Sequence, residues 1–191
     1  MSGLDKLVLK NKGPITAQFL NVGCTTFEQV ALYVRHLPYH RNASPLESDC
    51  VLTEKQGTCS SKHYLLISLV KEQAWEGFQL CCGIFKMNAI NTPTSASVLR
   101  AEQLNYLPEA HCYLYYHEQL LDFTASHWNT DNFKNDLLKE QALNPSNYPY
   151  EKVLLHQNFI KEWIVKHSIP YTLEAVWELR ERCIHALSNE S

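Results

Sequence analysis

The sequence predicts an α+β domain. Three observations carry that reading. Two helical patterns come first, short runs with period-two alternation follow, and two amphipathic helical patterns close the chain.

Thr25-Thr-Phe-Glu28 reads as a capping box, in which the Thr25 hydroxyl and the Glu28 carboxylate satisfy free backbone amides. Phe27, Val30, Ala31 and Val34 then share one helical face, and Pro38 stops the helix. Residues 39–58 carry turn formers (Asn42, Ser44, Pro45, Ser48, Asp49) and are expected to be loop. Gly57 gives way to a second helix from about Cys59 to Glu72, with Leu66, Leu69 and Val70 on its buried face. Phe78, Leu80, Cys82 and Ile84 alternate as a strand does, and the Asn-, Thr-, Ser- and Pro-rich stretch 88–97 reads as loop. Strands follow at about 110–116 and 120–124, close enough to form a hairpin. After the break at Asn144-Pro-Ser-Asn-Tyr-Pro149, one helix is marked by Phe159, Ile160, Trp163 and Ile164. A second is marked by Leu173, Val176, Trp177, Ile184 and Leu187. Residues 1–191 are expected to form a single domain, with a core over about 25–125 and a helical extension over about 151–187.

Composition narrows the function classes. Hydrophobic residues make up 45% and charged residues 19%, which is globular rather than disordered. A net charge of −3 gives no basic surface for phosphate backbones, so no nucleic-acid partner is expected. The first ten residues carry no apolar run of signal-peptide length. No stretch approaches the roughly 20 apolar residues of a membrane-spanning helix. The seven cysteines (24, 50, 59, 81, 82, 112, 183) are odd in number and irregularly spaced, which points to reduced thiols and a cytoplasmic location.

The most informative segment is Gln56-Gly-Thr-Cys59-Ser-Ser-Lys-His63. A cysteine in the first turn of a helix faces the positive end of the helix dipole and unpaired amides, which favour the nucleophilic thiolate. The same amides can stabilise the oxyanion of a tetrahedral intermediate. Gly57 permits close backbone approach ahead of the helix. The competing reading makes Cys59 a small buried hydrophobe. In the hairpin, His111, Tyr113 and Tyr115 share one face of the first strand, and Leu120, Asp122 and Thr124 share one face of the next. A two-residue turn at His117-Glu118 would pair Tyr116 with Gln119 and Tyr113 with Asp122, making His111 the diagonal neighbour of Asp122. Asp122 would then fix the imidazole tautomer while the other ring nitrogen addresses the thiol.

This arrangement resembles the transglutaminase-like superfamily: a glycine-bracketed cysteine opening a helix, a histidine on a later strand, and an aspartate on the next. Asp122-Phe-Thr124 is similar to the Asp-x-Thr ending common there, and the match covers about residues 50–125. The resemblance implies a papain-like core, in which the nucleophile helix packs on a small antiparallel sheet. It implies acyl transfer through a thioester, with Cys59 as nucleophile, His111 as general base and later acid, and Asp122 as the orienting group. Peptide, protein or small amide substrates follow from it. His111 departs from the common pattern in being followed by Cys-Tyr, and no acidic cluster resembles the calcium sites of animal transglutaminases.

Other residues have narrower roles. His63 lies one helical turn after Cys59 and leans back toward it, as a supporting group or an alternative base. Lys62 would add positive potential near the thiol, although a solvated helix face is the more ordinary role for a lysine there. Gln56 is a candidate oxyanion donor. Tyr113, with Tyr115, Tyr116 and Trp128, is a candidate groove lining, although aromatic residues in a sheet are more often core. A zinc site drawn from Cys59, His63, His111 and Cys112 lacks the spacing such sites show, so neither metal nor cofactor is expected. The alternative to catalysis is a non-catalytic peptide-binding module on the same fold.

Overall fold

The computed structural model describes residues 3–45, 47–126 and 130–188. The elements run in the order α1 (Pro14–Asn21), α2 (Phe27–His36), α3 (Cys50–Glu54), α4 (Cys59–Gln73), β1 (Phe78–Met87), α5 (Ala96–Ala101), β2 (Leu107–Tyr116), β3 (Gln119–Leu121), α6 (Thr130–Lys134), β4 (Leu137–Ala142), α7 (Tyr148–Lys166) and α8 (Leu173–Ser188). The four strands form one sheet in the order β3-β2-β1-β4. The α+β class expected from the sequence is therefore present. The chain divides into two compact units, residues 1–81 with 112–128, and residues 82–111 with 129–191.

In the first unit, α4 packs against α1, α2 and α3. α2 turns Phe27, Val30, Ala31 and Val34 into the core, the face its spacing predicts. Its cap lies one residue later than expected. Thr26 is the N-cap and its hydroxyl accepts from the Gln29 amide, while the Gln29 side chain accepts from the Thr25 amide and hydroxyl. Gln29 thus does what Glu28 was expected to do. The predicted loop 39–58 contains the short helix α3, and α1 was not expected at all. α1 opens at Pro14, whose missing N–H costs nothing at that position. Its next amides, those of Ile15 and Thr16, donate to the Glu72 carboxylate. That cap comes from a residue distant in sequence, so local pattern does not reveal it.

β2 and β3 pair antiparallel with Tyr116 opposite Gln119, Tyr115 opposite Leu120 and Leu114 opposite Leu121. His117 takes a φ of 52° in the turn, the left-handed conformation such tight hairpins require. The predicted two-residue turn and its register are observed. The expected pair of Tyr113 with Asp122 is the next step beyond the last observed pair. β3 is shorter than predicted because the following amides bond elsewhere: Phe123 N–H donates to His63, and Thr124 N–H donates to Asp122.

In the second unit, α7 packs on α8, and α8 also packs on α5 and the turn ahead of it. The predicted C-terminal helices are both present. α7 begins at Tyr148, because Pro149 in its first turn is compatible with helix initiation. The predicted loop 88–97 gives way to α5 at Ala96. β4 was missed, since Leu-Leu-Lys-Glu-Gln-Ala is largely exposed and does not alternate. Among the described residues, no helix is long and apolar enough to cross a membrane.

Candidate functional site

Cys59 is the first residue of α4. Thr58 caps the helix: its hydroxyl accepts from Ser61 N–H, and the Ser61 hydroxyl accepts from Thr58 N–H at 2.9 Å. The predicted glycine requirement has a visible cause. A Cβ on Gly57 would lie 2.8 Å from Ser61 Oγ and 2.9 Å from Val51 Cγ2, inside normal contact distance. Any side chain at position 57 would therefore force Ser61 or Val51 to shift. The Cys59 residue is 5% exposed. Its sulfur is 3.9 Å from Ser60 Oγ, which in turn donates to Cys112 Sγ at 3.7 Å. The first turn of α4 thereby meets β2 at the residue that follows His111 in the chain.

Two further α4 side chains join the helix to the segment after β3. The His63 Nδ1–H donates to the Cys59 carbonyl at 2.8 Å, and Nε2 accepts the Phe123 N–H at 2.9 Å. With one nitrogen donating and the other accepting, the ring is neutral and its tautomer is fixed. His63 Nε2 also lies 3.7 Å from Asp122 Oδ1, both side chains being fully buried. Serving as base would require His63 to surrender the Phe123 bond, so its geometry is that of a strut. Lys62 is not on a solvated face, as its sequence position suggested. It is fully buried, and its ammonium donates to the carbonyls of Leu37 and Thr124, each at 2.6 Å.

Asp122 Oδ1 accepts from Thr124 N–H at 3.0 Å and from Thr124 Oγ1–H at 2.5 Å. This gives the Asp-x-Thr pattern a physical meaning, because the threonine holds the carboxylate rotamer in place. The structure therefore brings Cys59, His63 and Asp122 into one neighbourhood of the first unit. His111 belongs to the second unit, where its ring packs on Phe133 at 4.7 Å and edge-on to Phe85 at 6.2 Å. His111 is itself 5% exposed.

Gln56 uses its amide to donate to the Arg41 carbonyl at 2.9 Å, and its own carbonyl accepts from Asn42. It braces the loop before α4. Tyr113 is fully buried and sits edge-on to Tyr115 at 6.0 Å, so it is core and not groove lining. Trp128 lies outside the described residues. All seven cysteines are free thiols and all are buried. Burial, together with Glu54, pushes the Cys50 thiol up to about 11, and burial does the same to Cys183. Among the described residues, no three His, Cys, Asp or Glu side chains converge as a metal site.

Lys62 is the residue that sequence reasoning undervalued. Its signal was its helical phase: Leu66, Leu69 and Val70 mark the buried face, and Lys62 lies one turn before Leu66 on that same stripe. Comparison of the chain with protein-family models, curated proteins and solved structures finds no match.

Proposed function

We propose that this chain is a thiol-dependent acyl-transfer enzyme acting on an amide or thioester carbonyl, with a transglutaminase-like core. Cys59 is the nucleophile, His111 the general base and later acid, and Asp122 the group that orients the imidazole. The Cys59 thiolate attacks the carbonyl carbon, and the developing oxyanion is met by amides of the opening turn of α4. His111 returns the proton to the departing amine or thiol, leaving a thioester on Cys59. Water or an amine then resolves it, giving hydrolysis, deamidation or amine transfer.

The observation that carries this reading is the placement of Cys59 at the first position of a capped helix whose opening turn is bonded to the Asp122–Thr124 segment. A cysteine kept only for packing needs neither the cap nor the polar neighbours.

Iodoacetamide alkylation at mildly acidic pH, read cysteine by cysteine by mass spectrometry, tests the proposal. Cys24 is the matched control, since it is 7% exposed against 5% for Cys59 and burial raises its pKa. Cys59 should alkylate at a pH where Cys24, Cys50 and Cys183 stay inert. His111→Ala should move its reactive limb to that of an ordinary thiol. Asp122→Asn should lie between wild type and His111→Ala, and His63→Ala should have a smaller effect. Equal rates at Cys59 and Cys24 across the pH range would end the catalytic reading and leave the peptide-binding module.

A further inference from the structure

Cys59, Lys62 and His63 stand at i, i+3 and i+4 of α4, which puts all three on one stripe of the helix. Lys62 is fully buried, an uncommon situation for a lysine. Its two 2.6 Å hydrogen bonds go to Leu37, which caps the C-terminus of α2, and to Thr124, two residues after Asp122. Both partners are neutral carbonyls. They satisfy donors but do not compensate the charge, and an uncompensated buried cation is costly.

The compensating groups are nearby. Burial lowers the Lys62 ammonium to about 8, and the negative forms of Cys59 and Asp122 oppose that fall. Lys62 therefore remains a cation at neutral pH. Of the other groups here, His63 is held neutral by its two backbone bonds. Arg35, in the last turn of α2, donates to the carbonyls of Ala125 and Ser126, adding positive charge at the far end of the same segment.

We propose that Lys62 is a positioning residue of this site: its buried ammonium fixes the Asp122–Thr124 segment against α4 and supplies the countercharge that keeps Cys59 as thiolate. The proposal rests on the reading of Cys59 as nucleophile. Interaction between two titrating groups is reciprocal, so a thiolate that favours the ammonium is favoured by it to the same extent. A lysine serving only as a tie between α2 and the segment after β3 would change stability when replaced. It would not change the pH at which Cys59 becomes reactive.

The experiment follows Cys59 alkylation against pH in wild type, Lys62→Met and Lys62→Arg, with urea unfolding confirming that each variant is folded. Lys62→Met should shift the reactive limb upward by about one pH unit or more, which is roughly a tenfold slower reaction at a fixed acidic pH. Lys62→Arg, which keeps the charge, should recover most of the shift. Should Lys62→Met not fold, the reciprocal measurement decides. The Lys62 side-chain resonances are titrated by NMR in wild type and in Cys59→Ser, and the midpoint should move to lower pH when the thiolate is absent. A fast wild-type Cys59 with an unmoved limb in Lys62→Met overturns the role of Lys62 and leaves the nucleophile standing. An unmoved Lys62 midpoint in Cys59→Ser also overturns it. A wild-type Cys59 no faster than Cys24 overturns both readings together.

Discussion

Arg180→Met should be among the most destabilising single substitutions in the second unit. Arg180 meets Glu109 in a two-pronged ion pair, Nε to Oε2 at 2.7 Å and Nη2 to Oε1 at 2.8 Å. The side chains are 11% and 7% exposed, and the guanidinium also lies 4.9 Å over the Trp177 ring. Burial by itself would raise the Glu109 carboxyl, but the Arg180 guanidinium beside it brings it below the ordinary glutamate value. Methionine removes the cation and leaves a buried carboxylate unpaired, a change that costs about 3–5 kcal/mol. For a chain of this size that is roughly 6–20 °C in Tm. Arg182→Met is the control, because Arg182 is exposed in its pair with the half-buried Glu102 and its loss should cost far less. Glu109→Leu combined with Arg180→Met should recover most of the loss, since an apolar pair has no charge to desolvate. The pH dependence supplies a second check. In Arg180→Met burial is the largest influence left on Glu109, opposed only by His156 and Lys152, so its folded pKa rises and the deficit shrinks as pH falls and the carboxyl protonates. Differential scanning calorimetry at two pH values reads both effects. The reasoning fails if Arg180→Met melts with Arg182→Met, or if its deficit grows on acidification.

Three further outcomes follow from the packing. His156 is buried, its Nε2–H donates to the Pro108 carbonyl at 2.8 Å, and burial lowers its pKa to about 4. A group whose folded pKa lies below its unfolded value of about 6.5 binds more protons when unfolded, so stability should fall as pH drops from about 6.5 toward 4. The loss should reach about 3 kcal/mol at most and be absent in His156→Gln, as measured by urea midpoints. Gly57→Ala should cost about 1–3 kcal/mol, because the new methyl must displace Ser61 or Val51; an unchanged urea midpoint would mean that the turn relaxes freely. Unfolding without reductant in the presence of a thiol reagent should reveal seven thiols per chain, and a lower count would expose a disulfide.

Much of the scaffold around α4 was legible because it is written in local pattern. The α2 face, the start of α4 and the hairpin register follow from spacing, a glycine and a two-residue turn. What was not legible depends on partners distant in sequence. α1 is capped by Glu72, and β4 is held by strand pairing rather than by alternation in its own residues. The shift of the α2 cap from Thr25 to Thr26 has a different origin. Two adjacent threonines offer the same chemistry, and only the backbone decides which one leaves the helix.

The opening turn of α4 is where local expectation and structure part most clearly. Lysine and histidine on a helix predict solvent, yet Lys62 and His63 are fully buried, and the Asp122 carboxylate beside His63 is buried with them. Each such group costs free energy unless its bonds are made, and here they are made mostly to backbone: Leu37, Thr124, Cys59 and Phe123. An apolar set of the same volume would hold α4 against the segment after β3 without that cost. Local rules tend to be broken in this way at functional sites, where buried charge and fixed tautomers serve something other than stability. Lys62 and His63 stand within about one turn of Cys59 on α4, and with Asp122 they are buried where the helix meets the segment after β3. That arrangement, more than the cysteine itself, is what makes the pH at which Cys59 reacts the informative measurement.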